Sequence, residues 1–246
     1  MTWTFPLALT FLTILPWPRL APAEREDLVR SLAWFPWVGA ILGLAFWGAG
    51  WGLTQLLPAP AAAGLVLALS VWLTRGLHLD GLADTADGLL GGRAPEECLR
   101  IMKDSRMGAL GGVALTLTLI VKFAFLLAAA QTGLYLAFLL FPVVSRWGMV
   151  LMAYLAPYAR PEGGLGQAMV AGMSPRLLIC ATAAAAVLVL AMGRLPGLAA
   201  LVAAGAAAWL LSLYFIHRLG GITGDTLGAT NEILEVLTLL VMLSLG

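Results

Sequence analysis

Long apolar runs separated by short polar stretches set the first expectation for this chain. Residues 34–57 form a run long enough to cross a bilayer, with Pro36 near its start, and residues 59–77 form a second. A polar segment over 78–107 follows, rich in carboxylates. Further runs lie at about 108–130, 133–155, 177–193 and 195–217, and a last one begins near Gly228. A hydrocarbon core about 30 Å thick takes roughly 20 helical residues to cross. The pattern therefore predicts an all-α, polytopic membrane bundle of about seven transmembrane helices. Residues 3–17 are apolar too, but Pro6 interrupts them and Pro16 and Pro18 close them. That stretch is short for a span and reads as interfacial or re-entrant. No linker or internal repeat divides the chain, so residues 1–246 read as one membrane-embedded domain.

Composition sharpens this. Hydrophobic residues make up 61% of the 246 positions and charged residues 11%, and the mean hydropathy is +0.94. Soluble domains carry about 25% charged residues, so the chain reads as an integral membrane protein. A net charge of +1, with no basic stripe, argues against nucleic acid as a partner. Cys98 and Cys180 lie far apart and match no metal-ligand spacing, so they read as free thiols or packing residues. The start "TFPLALTFLTILPWP" lacks both a basic lead and a small-residue cleavage site, and it reads as part of the mature chain.

Basic residues in the connections set the orientation. With the N-terminal segment cytoplasmic, that side collects Arg19, Arg25, Arg30, Arg75, Arg93, Arg100, Lys103, Arg106, Arg160, Arg176 and Arg218. The opposite side has Arg194 alone, while Lys122 and Arg146 fall inside spans. Segments 78–107, 156–176 and 218–227 then meet on one membrane face.

The stretch "HLDGLADTADGLLGG", residues 78–92, carries the most chemistry. On a helix Asp80, Asp84 and Asp87 are spaced i, i+4, i+7 and share one face. Like charges so placed repel, and more so beside a bilayer. A divalent cation reverses the sign, because Mg2+ favours carboxylate oxygens and bridges them to substrate phosphates. An exposed loop whose aspartates cap helices would explain one or two of the three, not three in phase.

Two other clusters suggest phosphate. In "IMKDSRMGALGG", residues 101–112, Lys103 and Arg106 are natural phosphate partners, and Asp104 offers a fourth carboxylate. A juxtamembrane basic anchor would explain the two cations but not Asp104 or the glycines. In "GGITGDTLGATNEILE", residues 220–235, a Gly-rich turn around Gly224 leads into a helix N-terminus, an anion site by its free N–H groups. Asp225 sits in that turn, and Glu232 lies about two helical turns on, inside the membrane boundary. A Gly-rich turn with a snorkelling Glu is the plainer alternative. Lys122 and Arg146, mid-span, must pair, face the interior or snorkel. Arg146 is expected to pair or to contact ligand. His78, beside the acids, reads as a base or ligand, and His217 as interfacial.

Acids able to hold Mg2+, with cations able to hold phosphate oxygens, are the parts of a phosphoryl-transfer site. A cation-coupled transporter also places acids in spans, but near the midplane. The residues alone favour a membrane phosphotransferase first and a transporter second.

The three quoted stretches, extended to "GLHLDGLADTADGLLGG" at the first, resemble in order and spacing the cobalamin synthase family (adenosylcobinamide-GDP ribazoletransferase). "FLTILPWP", "FPWVGAILG", "SRWGMVLMAYLAPYAR" and "EGGLG" extend the likeness over nearly the whole chain. The resemblance implies a Mg2+-requiring enzyme of the bacterial-type cytoplasmic (inner) membrane, with its active site facing the cytoplasm. It implies that α-ribazole, or α-ribazole 5′-phosphate, attacks the phosphate joining GDP to cobinamide in adenosylcobinamide-GDP. GMP leaves, and adenosylcobalamin or its 5′-phosphate forms. In this reading Asp80, Asp84, Asp87, Asp104 and Asp225 hold Mg2+. Lys103, Arg106 and Arg146, with Gly224 and Glu232, contact substrate, and one carboxylate or His78 takes the proton of the attacking hydroxyl. A homo-oligomer is compatible with it. Ile14 stands where the family often has Arg, Asn231 where an aliphatic residue is usual, and Arg75 where a small one is common.

CDP-alcohol phosphotransferases are the nearest rival, since "DGLAD" resembles the start of their signature. They need Arg where Asp84 stands, and a later Gly-x3-Asp-x3-Asp that this chain lacks. The charge bias predicts that Leu90→Cys and Arg194→Cys, each in a background without Cys98 and Cys180, react with an impermeant thiol reagent from opposite sides of the membrane. Labelling of both from one side would contradict the orientation.

Overall fold

The computed structural model describes residues 4–17, 24–160, 162–163 and 165–246. Trp3, Pro18, Arg19 and Gly164, which enter the expectations above, lie outside the described residues. Within them the regular structure is helical, apart from one isolated bridge between Tyr158 and Ile222. Helix α1 covers Thr4–Leu12, and its nine residues are too few to cross a bilayer. Helix α2 (Arg25–Ser31) runs through a 3-10 turn, Leu32–Trp34, into α3 (Phe35–Thr54). Then come α4 (Ala59–Leu73), α5 (Leu77–Gly91), α6 (Pro95–Ile101), α7 (Ala109–Thr132), α8 (Leu136–Leu155) and α9 (Leu165–Ala171). The helical run Pro175–Leu219 breaks at Arg194, where φ is 48° and ψ is −138°. The chain doubles back there, since a Cβ on Gly197 would lie 3.0 Å from Val189 Cγ1. The run is thus two helices, α10 (Pro175–Met192) and α11 (Arg194–Leu219), followed by α12 (Gly224–Leu245).

Among the described residues six helical stretches are long and apolar enough to span a membrane: Arg25–Thr54, α7, α8, α10, α11 and α12. The pair α4 and α5, bent by 85°, makes a seventh if counted as one broken span. The all-helical membrane architecture therefore stands, with two changes of boundary. The second expected span stops at Leu73 and turns into the acidic helix, instead of running to residue 77. The last begins at Gly224 rather than near Gly228, which brings Asp225 into its first turn.

Local chemistry sets these ends. Proline in the first turn opens α3, α4, α6 and α10, where its missing N–H costs nothing. The bend between α4 and α5 uses two consecutive left-handed residues, Arg75 (φ 56°) and Gly76 (φ 65°). Arg75 is strained there, and its guanidinium has a compensating task. It donates to the carbonyls of Thr10 (3.1 Å) and Phe11 (3.4 Å), at the otherwise unsatisfied end of α1. Ile14 N–H donates to Leu73 C=O (2.8 Å), so the ends of α1 and α4 are tied together. At the far end of α5, Arg218 donates to the carbonyls of Leu89 (2.9 Å) and Gly92 (3.3 Å).

Helix α8 is the hub, largely buried and packed by α3, by the run of α10 and α11, and by α12. Between helices already in lipid, hydrophobic association adds little, and close packing across small residues takes over. Gly39 and Gly43 of α3 lie one turn apart, against the backbone of Pro142 and Leu139 in α8, with no room for a Cβ. Gly43→Val is therefore expected to cost about 1–3 kcal/mol by overpacking. Gly48→Val, where an added Cβ meets nothing within 4 Å, should leave stability nearly unchanged. Thermal unfolding in detergent distinguishes the two.

Candidate active site

Helix α5 crosses α12 at two glycines. A Cβ on Gly81 would come 2.8 Å from Asp225 C=O, and one on Gly228 would come 3.2 Å from His78 Cα. Backbone contact of this kind lets the side chains flanking the crossing face one another. Asp84 accordingly lies in the field of Asp80, Asp225 and Asp87, with Arg160 as the nearby cation. The α5 aspartates do share a face, as their spacing predicts, but their surroundings differ along it. Asp80 is exposed, Asp84 half-buried and Asp87 buried.

Asp87 is occupied by the fold. Its Oδ2 accepts from Gly108 N–H (2.7 Å) and its Oδ1 from Gly111 N–H (2.8 Å), capping the N-terminus of α7. A carboxylate at a helix N-terminus is stabilised by the macrodipole as well as by the hydrogen bonds. The structure thus gives Asp87 a positioning task and leaves Asp80, Asp84 and Asp225 as the acids that meet.

Asp225 is held from two sides. Thr223 caps α12, its hydroxyl accepting from the N–H groups of Asp225 and Thr226 (3.2 Å each) while Thr226 Oγ1 accepts from Thr223 N–H (2.8 Å). Two amides of the anion site expected near Gly224 are therefore already used. From the other side Arg160 donates to Asp225 Oδ2 at 2.5 Å. Arg160 reaches this point because residues 157–159 pair with Ile222. Ala159 N–H donates to Ile222 C=O, and Ile222 N–H to Pro157 C=O, both at 2.8 Å. Sequence reading counted Arg160 as an orienting charge only. Its position in "APYAR", within the most basic-sided loops and before a Gly-rich turn, was the available signal.

Other expected site residues lie elsewhere. Asp104 is not with the other aspartates: it bonds Arg106, whose guanidinium holds the Asp104 carboxyl down to about 2. Arg106 is highly exposed, and Lys103 bonds Glu162 at 3.0 Å across the surface loops. Arg146 and Glu232, expected at the substrate, instead join a buried network with Lys122 and Glu235. Lys122 donates to Glu232 (2.8 Å) and Glu235 (2.5 Å), Arg146 donates to Glu235, and Asn231 Nδ2 donates to Glu235 Oε1 (3.1 Å). Two cations balance two anions, which is how charges persist inside a membrane bundle. Glu235 escaped notice in the sequence, although it follows Glu232 by three positions on the same helical face.

His78 is 2% exposed, and neither ring nitrogen has a hydrogen-bond partner. It lines a cavity of about 210 Å³, together with Phe11, Leu32, Phe35, Met149 and Met169, with Asp80 and Asp225 also on the wall. The exposed Asp80 and Gly224 mark its mouth, and the buried Leu32, Phe35, His78 and Met149 its floor.

Comparison with known proteins agrees with this geometry in extent. The family model for cobalamin-5-phosphate synthase matches residues 4–243. The chain belongs to the cobalamin-5-phosphate synthase family. An adenosylcobinamide-GDP ribazoletransferase of Syntrophobacter fumaroxidans is 45% identical over 237 residues, 96% of each chain. One of Desulforamulus reducens is 39% identical, covering 96% of this chain and 94% of its own. One of Chlorobium phaeobacteroides is 42% identical, covering 94% and 93%. No solved structure matches.

Breaking the buried network strands a charge in the bilayer, so Glu235→Gln is expected to cost about 3–5 kcal/mol. Arg106→Ala should leave stability unchanged. Thermal unfolding of both variants in detergent checks this, and restoration of much of the loss by Lys122→Met in the Glu235→Gln background would identify the stranded charge as its cause.

Proposed function

We propose that the chain is a membrane transferase that joins adenosylcobinamide-GDP to α-ribazole, or to its 5′-phosphate, with release of GMP, completing the nucleotide loop of cobalamin. Family membership over nearly the whole chain supports the reaction. The observation that carries the site is the α5–α12 crossing, which brings Asp80, Asp84 and Asp225 into one another's field beside Arg160.

The donor set suits Mg2+. Among the described residues no three His, Cys, Asp or Glu side chains already converge as a metal cage. Mg2+ does not ask for one: it commonly takes one or two carboxylates and completes its shell with water and substrate phosphate. Asp80, Asp84 and Asp225 outnumber the single guanidinium among them, so the site carries the excess negative charge that a cation would offset. When bound, Mg2+ would neutralise charge on the phosphoryl oxygens.

The chain's own groups do the rest. Arg160, held on Asp225 at 2.5 Å, is the guanidinium beside the acids, and its fork suits phosphoryl oxygens. A carboxylate of Asp80 or Asp84 takes the proton from the attacking ribose hydroxyl. His78 is poorly placed for that task, since its ring lies at the cavity floor. The new bond joins ribose oxygen to phosphorus, and the bond to GMP breaks with its electron pair leaving on GMP. With Arg160 and the acids in segments on the basic side, the reaction faces the cytoplasm.

GMP release from adenosylcobinamide-GDP, with α-ribazole and Mg2+, tests the reading directly. Asp84→Asn is expected to lower kcat by about 10²–10³ while leaving circular dichroism and detergent stability intact, and Arg160→Ala to lower it as well. Chelation by EDTA should stop turnover and added Mg2+ restore it. Undiminished activity in Asp84→Asn would sink the site assignment.

A further inference from the structure

The segment that carries Arg160 brings a second side chain to the same place. Pro157 C=O accepts from Ile222 N–H and Ala159 N–H donates to Ile222 C=O, both at 2.8 Å, so the segment runs extended beside the start of α12. Gly221 leaves no room for a Cβ against the Pro157 carbonyl, so the two backbones lie in close contact. Side chains alternate along an extended segment, so Tyr158 and Arg160 leave it on one side and Ala159 on the other. Arg160 reaches Asp225. Tyr158 ends between α9 and α12. A Cβ on Gly166 would lie 3.0 Å from Tyr158 Cε2, 3.6 Å from its hydroxyl oxygen and 3.4 Å from Gly224 N. Gly166 and Gly224 both line the cavity that Asp80 and Asp225 share. The half-buried phenol lies in the field of Arg160, Asp225 and Glu162.

We propose that Tyr158 is a further substrate-contacting residue of the transfer site, whose phenol donates a hydrogen bond to an oxygen of the phosphoryl group that moves. The proposal rests on the transferase reading above and adds a residue to it. Packing does not account for the hydroxyl. A ring lodged between two glycines fills the gap equally well as phenylalanine, whereas a hydroxyl there is a polar group that needs a partner. Charge favours a phosphoryl oxygen as that partner. Asp80, Asp84 and Asp225 repel an anion, and Arg160 is the guanidinium beside them. A phenol keeps its proton at neutral pH and donates without changing the charge of the site. It adds to the grip on the phosphoryl group and leaves the negative excess for a cation. Tyrosine hydroxyls serve in this way where charge develops on oxygen in a transition state. Gly166 fits the same role, since it has no Cβ to push the tip of the ring aside.

The test is a thio effect in the full-length protein in detergent, read as GMP release with α-ribazole and Mg2+. Adenosylcobinamide-GDP is compared with its phosphorothioate diastereomers, in which sulfur replaces one or the other non-bridging oxygen of the phosphoryl group that moves. Sulfur is a weak hydrogen-bond acceptor, so the diastereomer with sulfur facing Tyr158 should react more slowly with wild type. Tyr158→Phe keeps the ring and its packing. It should unfold at the wild-type temperature and lose about 10- to 100-fold in kcat/KM, the range for a hydrogen bond to a charged group. Its thio effect for that diastereomer should shrink, while that for the other stays as in wild type. Gly166→Ala keeps the hydroxyl but crowds the tip of the ring. It should lower kcat/KM and shrink the same thio effect, which tests the proposal independently of the fold of Tyr158→Phe. Wild-type activity in Tyr158→Phe overturns the proposal. So does a loss that leaves both thio effects unchanged, the result expected of a ring that only packs. Either result leaves the transferase reading standing. No GMP release from wild type with the unmodified donor overturns that reading, and the proposal with it.

Discussion

Two helices that both carry carboxylates touch backbone to backbone at Gly81 and Gly228, and the site exists because of that contact. Like charges oppose the crossing, so the structure must hold it from outside. Arg218 and the Arg75–Gly76 turn fix the two ends of α5. The Thr223 cap and the pairing of residues 157–159 with Ile222 fix the start of α12. Arg160 brings the one guanidinium that offsets part of the repulsion. Remaining negative charge is left for a ligand to neutralise, which is the state expected of a preorganised site.

Rotation of α12 is set deeper in the bilayer. Asp225, Gly228, Glu232 and Glu235 are spaced three, four and three apart and so share one face. Glu232 and Glu235 on that face meet Lys122 and Arg146, from α7 and α8. Turning α12 by one residue would leave carboxylates in lipid or against apolar side chains, at several kcal/mol each. Buried ion pairs are weak sources of net stability, but their geometry discriminates strongly among alternatives. Here they orient the helix whose first turn carries Asp225. Asn231 donates to the same carboxylates and belongs to this orienting set. Arg75 exchanges a strained backbone for two hydrogen bonds to the end of α1.

Much of the fold was legible because membrane spans follow from uninterrupted hydropathy, which needs no knowledge of neighbours. The phase of Asp80, Asp84 and Asp87 was legible for the same reason, since helical periodicity is local. Their separate fates were not. Asp87 became a cap because the N-terminus of α7 arrives beside it, and Asp104 stayed with Arg106 because they are two residues apart in an exposed loop. Arg146 and Glu232 read as substrate contacts because an intramembrane charge signals function by default. Each instead met partners on other helices, Arg146 at Glu235 and Glu232 at Lys122, from 89 to 110 positions away.

The amino-acid sequence by itself determined that this chain lies in a membrane as a helical bundle, and which short stretches carry acids, cations and glycines. It determined the family as well, because those stretches recur in order over the whole length. Only the tertiary structure decided which charges meet. Hydropathy and helical phase are properties of neighbours along the chain, whereas a salt bridge or a cavity depends on distances between segments far apart in it. The crossing of α5 on α12, the approach of Arg160 and the apolar chamber behind the acids are of that second kind.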